Sequence, residues 1–238
     1  MIRILAALQA LLPATALLAA EPPGAVVDES LIGTVVRSER WNVRRTSGTV
    51  EELSGNVVYE YEDRMARAEW ARYDHESGVL EAKTDIRGRQ RLRDGTTAAL
   101  EGQLMTFDRR NGKGTLRGES EADPIRFSLT PPDGDGTARG SARRLVFDAS
   151  KETVSLEGDI RLAAPRGDAR AEDALFERRA RSLTLSGRRP VLTAREAGWS
   201  AAVQAETITG RALEGSRRRV VAEGAARGWL YFPDKGRR

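Results

Sequence analysis

Histidine and carboxylate side chains are the groups in this sequence that could carry out acid–base or metal chemistry. The chain of 238 residues contains a single histidine, His75, and no cysteine. A Ser-His-Asp triad would therefore depend on His75 alone, and a zinc site made of several His or Cys ligands cannot be assembled. His75 stands between Asp74 and Glu76 in a segment that predicts a turn, which favours a solvated turn residue over a ligand.

Adjacent carboxylates are the other candidate for catalysis. Glu51-Glu52 and Glu172-Asp173 are such pairs, but a glycosidase needs two carboxylates that face one cleft across a sugar, and neighbours along a chain do not provide this. We interpret both pairs as surface charges. The sequence therefore predicts no catalytic residue, no metal site and no cofactor, and we expect a protein that is not an enzyme.

The charged residues are numerous and of both signs. There are 39 Lys and Arg residues against 35 Asp and Glu residues, which gives a net charge of +4. Opposite charges are interleaved along the chain and nearly cancel in most windows, as in residues 172–181. We therefore expect a solvated mixed-charge surface, no long basic face that tracks phosphates, and no nucleic-acid partner.

Residues 1–20 form a separate segment. One early arginine precedes an apolar stretch, which ends in two small residues before the polar Glu21. This order is typical of a secretory signal peptide, and we expect cleavage after Ala20. The alternative is a retained membrane anchor, although the stretch is short for a bilayer span and contains Gln9 and Pro13.

An internal repeat organises the rest of the chain. Each full copy of the repeat starts with an Asp or Glu that comes directly after an apolar residue. An apolar or small residue stands eight positions after this acid, and the residue ten positions after it is usually glycine. The acids are Asp74, Asp108, Asp148, Glu177 and Glu214, and the apolar marks, with an earlier copy at Leu53, are Leu53, Ala82, Leu116, Leu156, Leu185 and Ala222. Such a period indicates a stack of similar units.

Each unit has the pattern of a β-hairpin. Apolar or small residues alternate with polar ones over residues 154–162, which is the period of a strand with one buried face. Asp residues that open the turns can bond their own downstream amides, and Asn111-Gly112 suits a tight turn. The sequence therefore predicts an all-β chain of successive antiparallel hairpins, whose apolar faces either form a sealed core or, if two sheets are splayed, line an elongated groove.

The repeated pattern resembles that of a known family. The segments 145–160 and 53–57, with Tyr73-Asp74 and its upstream alanines, are similar to the OstA-like family of lipopolysaccharide-transport proteins, which includes LptA-like periplasmic bridges and LptC-like anchored proteins. The resemblance covers about residues 45–225. It departs from the family pattern at Gly114, Ser120 and Arg189, where apolar residues are expected.

The resemblance implies an elongated antiparallel β-jellyroll built from repeated hairpins. It also implies a non-enzymatic periplasmic protein whose inner face takes the acyl chains of lipid A and which carries lipopolysaccharide from the inner to the outer membrane. Its partners would be related jellyroll domains of inner- and outer-membrane transport proteins, or further copies of itself. The alternatives are a membrane-anchored jellyroll of the same system and a structural β-repeat protein with a dry core.

Strand parity and the resemblance together give a candidate site. We expect the acyl chains to contact residues that share the inward parity, and the head group to pair with arginines at the rim. The lipid-binding candidates are Val154, Leu156, Ile160, Leu162, Leu183 and Leu185, and the head-group candidates are Arg161 and Arg189.

The chain is divided into four parts by these patterns. They are a signal peptide at 1–20, a lead-in with an early strand at 21–44, the jellyroll at 45–232 and a basic tail at 233–238. The early strand, at residues 31–36, and a late one, at 229–232, are predicted to be free edges that pair with another chain.

Overall fold

The protein is a continuous antiparallel β-structure. A computed structural model describes residues 35–45, 48–92, 94–120, 122–132, 136–196, 198–212 and 218–232, and within these ranges every regular element is a strand. The strands are β1 Val35–Arg37, β2 Arg40–Arg45, β3 Thr49–Tyr61, β4 Arg64–Asp74, β5 Val79–Arg91, β6 Thr97–Asp108, β7 Lys113–Arg117, β8 Ile125–Thr130, β9 Ala138–Ala142, β10 Arg144–Asp148, β11 Thr153–Ala164, β12 Gly167–Glu177, β13 Ser182–Ser186, β14 Val191–Glu196, β15 Trp199–Gln204, β16 Thr207–Ala212, β17 Arg218–Glu223 and β18 Arg227–Tyr231. The predicted succession of antiparallel hairpins is confirmed.

The long strands take different partners along their two halves, and this divides the sheet into two layers. The first half of β3 pairs with β2, for example, whereas its second half pairs with β1. The neighbours in layer A are, in order, β2, β3, β4, β5, β6, β7, β10, β11, β12, β13, β16 and β17. In layer B they are β1, β3, β4, β5, β6, β8, β9, β11, β12, β14, β15 and β18. This is the predicted elongated β-jellyroll.

The bends between the two layers lie at the glycine position of the repeat. At each bend, two consecutive residues have positive φ and the pairing register shifts, as at a β-bulge. The bends are Gly55-Asn56 in β3, Thr84-Asp85 in β5 and Gly158-Asp159 in β11. Because glycine adopts positive φ without steric cost, the repeated glycine marks the point where the chain passes from layer A to layer B.

The repeated acids open the turns as predicted. Asp74 Oδ1 accepts hydrogen bonds from the backbone N–H groups of Glu76 and Ser77, at 2.9 and 3.1 Å. Asp148 Oδ1 likewise accepts from the Ser150 hydroxyl at 2.6 Å and the Lys151 N–H at 3.1 Å. The N–H of Ser77 is the main cause that holds the pKa of Asp74 below its ordinary value, since hydrogen bonds to a carboxylate favour its charged form.

The departure of the repeat at Gly114 has a steric reason. Gly114 lies between Phe107 and Phe147 on adjacent strands, and the two rings stack with centroids 5.5 Å apart. A Cβ at Gly114 would overlap the ring of Phe147. The missing side chain at Gly114 therefore leaves the space that the Phe147 ring fills.

The sheets begin before the predicted jellyroll boundary at residue 45. β1 and most of β2 lie in the predicted lead-in, and both already pair with β3. Val35 and Val36 of the predicted early strand belong to β1. The rest of that strand lies outside the described residues, as do the predicted signal peptide at 1–20, Glu214 and the predicted basic tail at 233–238.

Candidate functional site

The inner face of layer A carries a row of apolar residues that crosses all of its strands. Cross-strand partners connect the row from the first strand of the layer to the last. Its members are Trp41, Leu53, Ala71, Ala82, Met105, Leu116, Leu145, Leu156, Ala174, Leu185, Ile208 and Ala222. Every second member is an apolar mark of the sequence repeat, so the repeat specifies one face of one layer.

A second apolar row runs beside the first, nearer the turns. It passes through Tyr73, Leu80, Phe107, Gly114, Phe147, Val154, Phe176, Leu183, Gly210 and Val220. The two rows place aromatic and branched side chains opposite layer B.

Layer B supplies the other wall of the interior, and its residues are smaller. Its main inner row is Tyr59, Ala66, Gly88, Leu100, Phe127, Gly140, Leu162, Ala169, Leu192, Val203 and Gly228. Ile160 lies beside this row, next to the bend in β11. Gly and Ala make up five of the eleven members of this row, against four of the twelve in the first row of layer A.

All six predicted lipid-binding residues point into this interior. Their exposed fractions range from 0% at Leu185 to 9% at Leu156, and all six belong to one apolar cluster. The predicted strand parity is therefore confirmed. The centre of the interior is closely packed in this structure, and the contact of these side chains with lipid stays a prediction.

The apolar interior is uncovered at its two ends. At the amino-terminal end, the inward-facing Trp41 and Val43 are 54% and 47% exposed, and Tyr59 is 41% exposed. At the carboxyl-terminal end, Leu230 of β18 is 60% exposed; it lies opposite Ala201, which pairs with the buried Ala194. Because β1, β2, β17 and β18 each pair on one side only among the described strands, both ends of the apolar rows meet solvent.

The two predicted head-group residues lie apart from the interior. Arg161 is on the outer face of layer B, where Nη2 donates to Asp159 Oδ2 at 2.8 Å. Arg189 is exposed, between β13 and β14, and has a positive φ of 55°. Their pairing with a head group is not decided by these positions and stays a prediction.

The histidine and the carboxylate pairs lie at exposed or half-exposed positions, although Glu51 has the inward parity of its cross-strand partners Val43 and Tyr73. His75 lies in the turn after β4, with Nε2 2.7 Å from Glu51 Oε1 and its ring edge against Tyr73. Glu52 accepts hydrogen bonds from Trp70 and Arg44, and the bond from Trp70 is the main cause that lowers its pKa. No group of three or more potential metal ligands occurs within the described ranges.

One prediction about surface charge is wrong. The strand pairing of layer B places arginines side by side across its outer face, which the alternation of charges along the chain concealed. The cross-strand row runs Arg67, Arg87, Glu101, Arg126, Ser141, Arg161 and Arg170. Opposite charges alternate along the chain, but residues of the same charge lie side by side on neighbouring strands. The resulting basic face depends on the pairing register of the strands, which the sequence alone does not show.

The chain was compared with protein families, curated proteins and solved structures. No protein-family model matches the sequence, and no curated protein matches it. Among solved structures, the chain is similar to LptH of Pseudomonas aeruginosa, described as the LptA-homologous periplasmic component of the lipopolysaccharide transport device. The similarity covers 66% of this chain and 93% of that one, with 15% sequence identity and a TM-score of 0.42. Within the described residues, no helix is long and apolar enough to cross a membrane.

Proposed function

We propose that this protein carries lipopolysaccharide through the periplasm as one jellyroll of a bridge between the two membranes. The observation that supports the proposal is the apolar interior, which runs across every strand of both layers and ends in exposed apolar side chains at both ends. A carrier of acyl chains needs such a continuous apolar surface. Each buried methylene of the chain contributes about 0.8 kcal/mol to the free energy of binding at any point along that surface, so the chain can move without losing affinity.

The composition of the interior suits a cavity that can open. Five of the eleven residues in the main inner row of layer B are Gly or Ala, whereas leucine is the commonest residue in the two inner rows of layer A. Chains that enter at an exposed end would displace side chains from the opposite wall and separate the two layers. Since the strands within each layer stay paired, this separation would break side-chain contacts and keep the backbone hydrogen bonds.

A dry-core structural protein is the second candidate. The burial of Leu185, Ile160 and Leu183, at 3% exposure or less, favours it, because a well-packed centre needs no ligand. The anchored jellyroll is a variant of the first proposal, and sequencing the amino terminus of the exported protein distinguishes a cleaved segment 1–20 from a retained one.

Photo-crosslinking tests the proposal directly. A photoreactive amino acid at Leu156 or Ile160 should capture lipopolysaccharide, whereas the same group at Glu157, which points outward from the same strand, should not. Because a bulky group at a packed position could impair folding, matched probes at the exposed end positions Val43 and Leu230 serve as a second set.

The outcomes separate the candidates. Capture at Leu156 and at the end positions, with none at Glu157, supports a carrier. Equal capture at all positions would mean nonspecific adsorption and would contradict the proposal. A folded protein that captures nothing at any position would favour the dry core.

A further inference from the structure

The outer face of layer B carries an arginine ladder, which we define as Arg67, Arg87, Arg126, Arg161 and Arg170. These five residues are exposed and lie in one cross-strand row. Arg89 and Arg139 lie in the adjacent row, two residues further along their strands. That row also holds two carboxylates, Glu60 and Asp168, and each of them pairs with a further arginine, Arg37 and Arg195 respectively. The excess of arginine therefore extends over both rows.

Few carboxylates neutralise the ladder. Arg87 pairs with Asp85 at 2.9 Å and Arg161 pairs with Asp159 at 2.8 Å, and Glu101 interrupts the row between Arg87 and Arg126. By contrast, Arg67, Arg126 and Arg170 have no ion-pair partner among the described residues. Three guanidinium groups are thus free to meet an external anion.

The outer face of layer A is different. Its corresponding cross-strand row is uncharged over the last two thirds of the layer: Thr106, Thr115, Val146, Ser155, Leu175, Thr184, Thr209 and Val221. The neighbouring rows of that face carry charges of both signs, as at Arg117, Glu157 and Asp173, whereas the row of the ladder holds five arginines and a single glutamate.

Two aromatic residues share the face of the ladder. Trp229 and Tyr231 of β18 pair with Ala202 and Ser200, which in turn pair with the outward-facing Thr193 and Arg195. Trp229 is 55% and Tyr231 is 65% exposed. Trp and Tyr side chains are favoured at the boundary between a bilayer and water, where their apolar rings and polar groups are both accommodated.

We propose that the outer face of layer B docks onto the surface of an anionic phospholipid bilayer. The ladder crosses seven neighbouring strand segments, so it spans roughly 30 Å at a strand spacing of about 4.8 Å. Arginine binds phosphate oxygens in a bidentate manner, and a two-dimensional array of arginines matches a layer of phosphates. The aromatic pair at one end adds contacts that a bilayer offers and a soluble polyanion does not.

Vesicle sedimentation tests this docking with protein purified in its exported form, without the predicted signal segment 1–20, because that apolar segment would insert into any bilayer. The probes are vesicles of phosphatidylcholine alone and of phosphatidylcholine mixed with phosphatidylglycerol. The ladder variant carries Arg67→Gln, Arg126→Gln and Arg170→Gln. The control variant carries Arg117→Gln, Arg211→Gln and Arg219→Gln, which removes the same charge from exposed positions on the outer face of layer A.

We expect binding to the anionic vesicles only, and weaker binding at high salt. Loss of one arginine near an anionic surface weakens binding roughly fivefold, so the ladder variant should bind roughly a hundredfold more weakly and the control variant at most a few-fold more weakly. Trp229 fluorescence should shift to the blue on binding, and a Trp229→Phe variant should lose that part of the shift.

Three results would overturn the inference. They are failure of the wild-type protein to bind anionic vesicles, equal losses in both variants, and binding of heparin or an oligonucleotide through the ladder without binding of vesicles. Circular dichroism of each variant ensures that a loss is not due to unfolding. The vesicles contain no lipopolysaccharide and the substitutions do not touch the interior, so a failure to bind vesicles would not contradict the proposed carrier function. Equally, a failure to capture lipopolysaccharide in the crosslinking experiment would not contradict docking onto a bilayer.

Discussion

Single Asp residues stabilise the turns of this fold by accepting hydrogen bonds from residues two and three positions later in the same turn. Asp148 is the clearest case, because it accepts hydrogen bonds from Ser150 and Lys151 and its Oδ2 lies 3.8 Å from Nζ of Lys113, its partner on the neighbouring strand β7. The hydrogen bond from the Ser150 hydroxyl is the main cause that lowers its pKa below the ordinary 3.8. The charged form is therefore the one that the folded state favours.

Replacing Asp148 should have a pH-dependent effect on stability. Because the pKa of this carboxyl is lower in the folded than in the unfolded state, its contribution is complete above pH 3.8 and is lost as the pH falls through the folded value. Asp148→Ala should cost about 1 kcal/mol at neutral pH. Asp148→Asn, which keeps an acceptor but cannot ionise, should cost less.

Urea unfolding at neutral pH and at successive pH values below 3.8 measures this effect. The difference in free energy of unfolding between wild type and Asp148→Asn should shrink on acidification, because the wild-type carboxyl then becomes protonated as well. A difference that stays constant or grows at low pH would contradict the proposed role of the carboxylate.

At the scale of elements, each repeat is a hairpin: the chain passes from layer A through a bend into layer B, turns, and returns to layer A. The apolar mark, as in Leu156, fixes the inner face of layer A, and the glycine two residues later provides the bend. Because the marks align in one cross-strand row, a charge at position 156 would lie between the buried apolar side chains of Leu145 and Ala174 on the two adjacent strands.

Leu156→Asp should therefore unfold the protein or lower its free energy of unfolding by about 3 kcal/mol or more, since an unpaired carboxylate would enter the interior. Ser155→Asp is the matched control, because Ser155 precedes it on the same strand and faces outward between Val146 and Leu175. We expect that control to cost less than about 1 kcal/mol. Chemical denaturation followed by circular dichroism measures both, and similar costs at the two positions would show that the parity is wrong.

The repeat made much of this element-level structure predictable. The apolar mark of each repeat lies in the inner row of layer A, the acid opens a turn, and the glycine position lies at a bend. Each of these three correspondences has a local physical cause. The packing of Phe147 over Gly114 was not predictable, because it depends on a neighbour that is far away in sequence. The arginine ladder was hidden for the same reason: Arg67, Arg87 and Arg126 become neighbours only through strand register.

At the scale of the whole molecule, the free edges follow from an open architecture. Within the part of the chain that the structure describes, both layers end at each side of the jellyroll in strands that pair on one side only. Such edges offer unpaired backbone donors and acceptors to another chain. At the carboxyl-terminal edge, Leu230 and Phe232 are 60% and 64% exposed. A second copy that paired its β1 and β2 with β18 and β17 would continue both layers and cover these side chains.

We therefore expect concentration-dependent self-association, and we expect Leu230→Lys to weaken it at least tenfold by placing a charge in the contact. Leu175→Lys is the matched control, because Leu175 is also an exposed leucine, at 39%, but lies in the middle of layer A. Sedimentation equilibrium over a range of concentrations gives the dissociation constants. A wild-type protein that stays monomeric at the highest concentration, or a control that weakens association equally, would contradict edge pairing, since only contact at an end of the jellyroll distinguishes these two leucines.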